Sequence, residues 1–179
     1  PGSIVLGNML FPSTRFHIES NGARLVQVIS PKAYDLTSDD PFKGNFDVDQ
    51  LQAVIAQEGP QNISCVYAEL CVNSCGGQPV SIENLRQVQS VLKPKGIPLF
   101  LDACRILENS YLVQRREKGF EDFSIGAITR ETCSYADGST LCALKDFRVR
   151  EGGFIGARDE TNFQRAYFQS FIDGAQPSS

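Results

Sequence analysis

The sequence predicts an α/β protein built on a mostly parallel β-sheet flanked by helices. Strand-like apolar runs alternate with amphipathic segments of about 10–15 residues, the rhythm of βαβ units. The run from Ile63 to Val72 is apolar around a lone Glu69 and does not alternate, as expected of a parallel strand covered on both faces. Glycine and proline punctuate the ends of these segments.

Ala23–Ile29 reads as a strand stopped by Pro31. Asp47–Ile55 reads as an amphipathic helix, with Asp47 as N-cap and Gly59–Pro60 as its end. After the Ile63–Val72 strand, Gly76–Gly77 turn the chain, and Ser81 caps a helix that runs to about Leu92, where Pro94 and Gly96 stop it. Leu99–Leu101 is the next strand. Ile106–Glu117 and Ser124–Glu131 read as helices. Ser134–Leu144 is a small-residue, apolar approach to Lys145, Gly152–Gly156 a returning strand, and Asp159 the cap of a last helix ending near Phe171.

At 179 residues, with 41% hydrophobic and 21% charged content, the chain has enough material for one soluble domain with its own core. The formal net charge of −4 and the lack of a basic stretch argue against a nucleic-acid partner. No apolar run approaches the length of a membrane span. Pro1–Leu6 lacks a basic region and does not read as a signal peptide. The six cysteines lack zinc-site spacing, and the only histidine is His17, so no metal site is expected. Most of the cysteines lie in apolar text and read as reduced thiols of a cytoplasmic protein.

Two residues carry the chemical signal. Asp102 closes the strand Leu99–Leu101, and Lys145 follows ten residues that hold a single charge, Asp137. A strand-end carboxylate and a partly desolvated lysine are what a pyridoxal phosphate (PLP) site needs. Lysine forms the Schiff base, and the carboxylate keeps the pyridine nitrogen protonated so that the ring can act as an electron sink. Plainer readings stand beside this one. Lys145 reads also as a solvated surface group, and Asp102 as the N-cap of the following helix, locally paired with Arg105. Asn73 reads as a turn residue, Phe11 as core, and His17 as structural or surface. In a parallel sheet, Asn73 and Asp102 would open on one crevice beyond the carboxyl ends of the strands.

The strings Gly7–Asn8–Met9, Thr14–Arg15–Phe16–His17, Phe42–Lys43–Gly44–Asn45–Phe46–Asp47, Gly76–Gly77–Gln78–Pro79–Val80–Ser81, Asp102–Ala103–Cys104–Arg105, Glu108–Asn109–Ser110–Tyr111, Ser134–Tyr135–Ala136–Asp137–Gly138 and Lys145–Asp146 resemble the β-eliminating lyases, the family of tyrosine phenol-lyase and tryptophanase. The resemblance covers nearly the whole chain. It implies a fold-type-I PLP enzyme that cleaves a bond at Cβ of an amino acid to give pyruvate, ammonia and a leaving group. By the same resemblance Lys145 matches the Schiff-base lysine, Asp102 the partner of the pyridine nitrogen, Asn73 and Arg105 residues near the phenolic oxygen of the cofactor, and Phe11 the aromatic that stacks on its ring. Arg105 thereby joins Lys145 as a candidate catalytic residue.

The sequence departs from the family pattern in four places. Cys142 stands where a serine contacts the phosphate, and a thiol is a weaker donor. Leu144 replaces a lysine, Arg150 stands near the family's monovalent-cation site, and Pro12 replaces the threonine or aspartate found in the two enzymes. The family's main phosphate loop, tyrosine proton donor and small domain have no counterpart in the chain. Residues 1–173 therefore read as a PLP-binding large-domain core, and 174–179 as a frayed tail. The expected function is PLP-dependent β-elimination of tyrosine, tryptophan or a similar amino acid. A cysteine or S-substituted cysteine lyase and a non-catalytic, partner-binding remnant are the alternatives. The expected partners are a small amino-acid substrate and either a second copy of the chain or a domain supplied elsewhere.

Overall fold

The computed structural model describes residues 3–172. Six strands form one sheet in the order β2-β1-β3-β4-β5-β6. These are β1 (Ile4–Gly7), β2 (Arg24–Gln27), β3 (Ile63–Glu69), β4 (Leu99–Asp102), β5 (Gly138–Cys142) and β6 (Gly153–Ala157). The first five are mutually parallel, and β6 returns antiparallel to β5. The connecting helices are α1 (Pro12–Ser20), α2 (Val48–Glu58), α3 (Ile82–Leu92), α4 (Ile106–Arg116), α5 (Ile125–Ser134) and α6 (Glu160–Ile172). The expected α/β architecture is thus the observed one. The expected tail 174–179 lies outside the described residues, as does residue 173 at the end of the expected core.

The helix starts follow their caps. Asp47 accepts the Gln50 N–H at 2.9 Å, Ser81 the Asn84 N–H at 3.1 Å, and Asp159 the Asn162 N–H at 2.9 Å. Three elements were not anticipated, one of them strand β5, which lies within the stretch read only as an approach to Lys145. Strand β1 occupies an inner position of the sheet, but it is only four residues long and buried throughout, so it carries no alternation to betray it. Helix α1 buries none of its residues and therefore shows no apolar stripe.

One strand ends early. The apolar run continues to Val72, yet β3 stops at Glu69 because Cys71 takes a positive φ of 51° and Val72 bridges to Gln78 instead. Cys71 and Val72 are still fully buried, so their apolar character reports burial of a turn and not of a strand.

The main core lies on one face of the central strands, where Leu6, Val66, Leu99 and Leu101, side by side by register, join Leu51 and Ile55 of α2 and Leu85 and Leu92 of α3. Buried asparagines brace the loops around it. Asn8 donates to the Gly44 and Glu69 carbonyls at 3.0 and 2.9 Å and accepts the Glu69 N–H. Asn109 accepts the Val80 and Cys71 N–H groups and donates to the Val80 carbonyl. The Phe42–Asp47 and Gly76–Ser81 strings dock on each other, with Asn45 and Ser81 exchanging hydrogen bonds of 2.8 and 3.2 Å. Gly44 is required at this junction, since a Cβ there would lie 2.4 Å from the Gln78 carbonyl oxygen.

Among the described residues, no helix is long and apolar enough to cross a membrane, and no group of His, Cys, Asp and Glu is placed to hold a metal ion. All six cysteines are free thiols.

Candidate active site

A cavity of about 1070 Å³ opens beyond the carboxyl ends of β1, β3, β4 and β5. All six residues singled out from the sequence line it: Phe11, Asn73, Asp102, Arg105, Cys142 and Lys145. Parallel pairing explains the convergence, because every parallel strand delivers its carboxyl end, and the loop that follows, to the same edge of the sheet. Phe11 follows β1 as the N-cap of α1, Asn73 follows β3, and Asp102 is the last residue of β4. Arg105 is the N-cap of α4, Cys142 ends β5, and Lys145 lies three residues further on.

Lys145 is exposed, contrary to the partial desolvation expected from the small apolar run before it. The middle of that run is β5, whose composition reflects its place inside the sheet, whereas the lysine sits in the turn after the strand has ended. Its ammonium lies 5.8 Å from the centroid of the Phe11 ring. Phe11 is 38% exposed and walls the cavity, so it is not a core residue. His17 is at the surface, edge-on to Phe16.

Asp102 does not cap α4. Its Oδ1 accepts the Cys104 N–H at 3.1 Å, in a tight turn that ends before the helix begins. Nor does Arg105 pair locally with it. The Arg105 guanidinium donates to Asn73 Oδ1 at 3.0 Å and lies 3.7 Å from Glu108. The Asn73 side chain, exposed in its turn, is thereby oriented with its amide nitrogen as the remaining donor end. Cys142 donates its backbone N–H to Cys104 Sγ at 3.0 Å. Burial pushes the Cys104 thiol up to about 12, with its hydrogen bond to Asp102 adding to the rise, so this thiol stays protonated.

Two further residues of the site escaped the sequence reading. Glu69 pairs in register with Asp102 on the adjacent strand, which places two carboxyl groups side by side at the cavity floor. Glu69 is 4% exposed, its Oε1 accepts the Asn73 N–H at 2.7 Å, and its Oε2 is buried without a hydrogen-bond partner. Burial raises it to about 6, with the neighbouring Asp102 raising it further and the N–H groups of Asn73 and Phe11 opposing. A charge inside an otherwise apolar strand was the available signal. Thr140 continues the same row on β5, opposite Asp102, and its hydroxyl hydrogen-bonds the Tyr67 hydroxyl. Burial holds Tyr67 well above the usual phenol range. Nothing in the local sequence marks that pair, because it joins positions 73 residues apart.

The family model described as "Beta-eliminating lyase" matches residues 4–176. A tyrosine phenol-lyase of Clostridium tetani is 44% identical over 93% of this chain and 36% of its own length. A tyrosine phenol-lyase of Symbiobacterium is 40% identical over 99% of this chain and 39% of its own length. The chain therefore spans little more than a third of these curated relatives. Among solved structures, a protein of Listeria monocytogenes assigned as an L-allo-threonine aldolase superposes with a TM-score of 0.67 at 16% identity, over 96% of this chain and 41% of that one, a likeness of fold. The fold is that of the fold-type-I large domain, and the family depends on PLP. On the family match and these identities, the chain belongs to the β-eliminating lyases.

Proposed function

We propose that this chain forms the cofactor-holding wall of a PLP-dependent lyase that eliminates the β-substituent of an amino acid, releasing pyruvate and ammonia. The observation that carries the reading is the gathering of one amine, one strand-end carboxylate, one aromatic ring and the Asn73–Arg105 pair around a single cavity. These residues suit the cofactor: the amine suits its aldehyde, the carboxylate its ring nitrogen, and the Asn73–Arg105 donors its ring oxygen. Its phosphate would meet weaker donors, the Ser13 and Thr14 hydroxyls at the start of α1 and Cys142.

When bound, PLP supplies an electron sink that makes the substrate Cα–H acidic. Lys145 Nζ is the amine that would hold the cofactor through its aldehyde and, when free of it, would be the base placed for the substrate Cα proton. Asp102 is the carboxylate that would keep the pyridine nitrogen protonated. Phe11, in the cavity wall, would shield the cofactor ring from water. Arg105 fixes the Asn73 amide through its 3.0 Å hydrogen bond and so leaves the amide nitrogen as the donor end.

A second reading, a cysteine or S-substituted cysteine lyase, draws support from Pro12. It occupies the first turn of α1 beside Phe11 and offers no side-chain group to hydrogen-bond a phenolic or indolic leaving group. A non-catalytic remnant is the third reading. Phe154, Phe168 and Ile172 are 55%, 62% and 77% exposed along β6 and α6, which supports cover by a further domain or a second copy.

Mixing the chain with PLP and recording its visible spectrum tests the reading. A yellow band that is lost in Lys145→Ala is expected, with pyruvate released from tyrosine, tryptophan or an S-alkyl cysteine. A wild-type chain that develops no band, and releases no pyruvate from any of the three, would leave only the remnant.

A further inference from the structure

We propose that Asp146 is a positioning residue for the Lys145 amine, tying the lysine turn to the start of α4. The inference rests on the reading of Lys145 as the cofactor's anchor. Asp146 Oδ2 accepts the backbone N–H of Leu107 at 2.6 Å and that of Glu108 at 3.3 Å, across 39 and 38 residues. Those are orphan donors in the first turn of α4, whose own N-cap, Arg105, provides no side-chain cap. The carboxylate therefore does for α4 what a local cap does elsewhere, and the positive end of the helix dipole favours its charge.

The bond joins two parts of the cavity wall. One is the turn at 143–149. The other is the junction that carries Asp102 on β4 and Arg105 at the head of α4. Among the described residues, the remaining hydrogen bonds of that turn stay within the segment 143–152: Ala143 N–H to the Gly152 carbonyl, Arg148 N–H to the Lys145 carbonyl, and Val149 N–H to the Ala143 carbonyl. The turn also contains Arg148 at a φ of 52°, a strained conformation for a side chain of that size. Among the described residues, the approach of its ammonium to the Phe11 ring is the one contact recorded for the exposed Lys145 side chain, and no hydrogen bond or ion pair ties that side chain to Asp102. Asp146 is the neighbouring residue, so holding its carboxylate restrains a residue whose Cα lies about 3.8 Å from that of Lys145.

The test is selective trapping. PLP reacts reversibly with any accessible lysine, and borohydride reduction makes the attachment permanent. Peptide mass mapping then reads how far Lys145 is preferred over the other five lysines of the chain. In Asp146→Ala, that preference is expected to fall at least roughly tenfold, toward the about hundredfold cost of a 1 Å misplacement, while circular dichroism stays unchanged. Hydrogen exchange at Leu107 and Glu108 is expected to accelerate in the same variant. Asp146→Asn keeps an acceptor oxygen and is expected to restore most of the preference; it also serves if the alanine variant does not fold. A Lys145 preference unchanged in Asp146→Ala, despite faster exchange at Leu107 and Glu108, overturns the tether and leaves the functional reading standing. A wild-type chain with no preference for Lys145 overturns both.

Discussion

Replacing Glu69 by glutamine is expected to make the chain more stable at pH 8 than at pH 5, measured relative to wild type. Glu69 is raised from 4.5 to about 6 in the folded chain because burial disfavours its charge. A group raised on folding contributes stability that is fully present below the unfolded value and is lost as pH rises through the folded one. The window therefore opens near pH 4.5 and closes above pH 6. A shift of this size corresponds to about 2 kcal/mol between acid and alkaline limits, of which roughly 1 kcal/mol falls between pH 5 and pH 8. Only 4% of the residue is exposed, so solvent screening removes little of it. Glutamine keeps an oxygen for the Asn73 N–H but never ionises. Urea unfolding of both proteins at the two pH values reads the difference. With a denaturant slope of about 2 kcal/mol/M, the midpoint of the variant should gain about 0.5 M on wild type from pH 5 to pH 8. Any constant offset between the proteins cancels in that comparison. A midpoint difference that does not change with pH, or that moves toward wild type as pH rises, would refute the account of a buried carboxyl kept short of partners.

Gly44→Ala should destabilise the chain by about 2–3 kcal/mol in the same unfolding assay, since the new Cβ would sit 2.4 Å from the Gln78 carbonyl oxygen in backbone that cannot easily retreat. Glu117→Ala should cost about 1–2 kcal/mol, because its carboxylate accepts the Ile82 and Glu83 N–H groups at 2.7 and 2.8 Å and caps α3 from the far end of α4. Iodoacetamide at pH 8 should label exposed Cys133 first and fully buried Cys71, whose thiol burial pushes up to about 12, last; the order is read by mass mapping over time.

The legible part of the fold is the part that repeats. Strands β2, β3, β4 and β6, the helices α2 to α6 and the caps Asp47, Ser81 and Asp159 announce themselves because periodicity and capping are local properties of the chain. Strand β1 is too short and too thoroughly buried to show a period, and α1 has no buried face to show one. Asn73 and Asp102 were legible as neighbours because parallel strands end together, whereas Phe11, Arg105, Cys142 and Lys145 joined them through the family resemblance, the strands that deliver Phe11 and Cys142 having gone unread. Which groups touch was less so. Asp102 looked like the cap of the helix that follows it, whereas the cap comes from Asp146, 39 residues beyond Leu107 in sequence. Glu69 looked like an interruption in an apolar strand, and its meaning emerges only when register sets it beside Asp102. The exposure of Lys145 was misjudged because the composition of a strand says little about the turn after it.

The central claim is that Lys145 and Asp102 serve one bound pyridine ring. Trapping PLP with borohydride in the wild-type chain and in Asp102→Ala, followed by peptide mapping, measures it most directly. The account predicts one dominant modified peptide, the one containing Lys145, and a marked loss of that dominance when the carboxylate is removed. Label spread evenly over the six lysines, or a Lys145 adduct indifferent to Asp102, would contradict it.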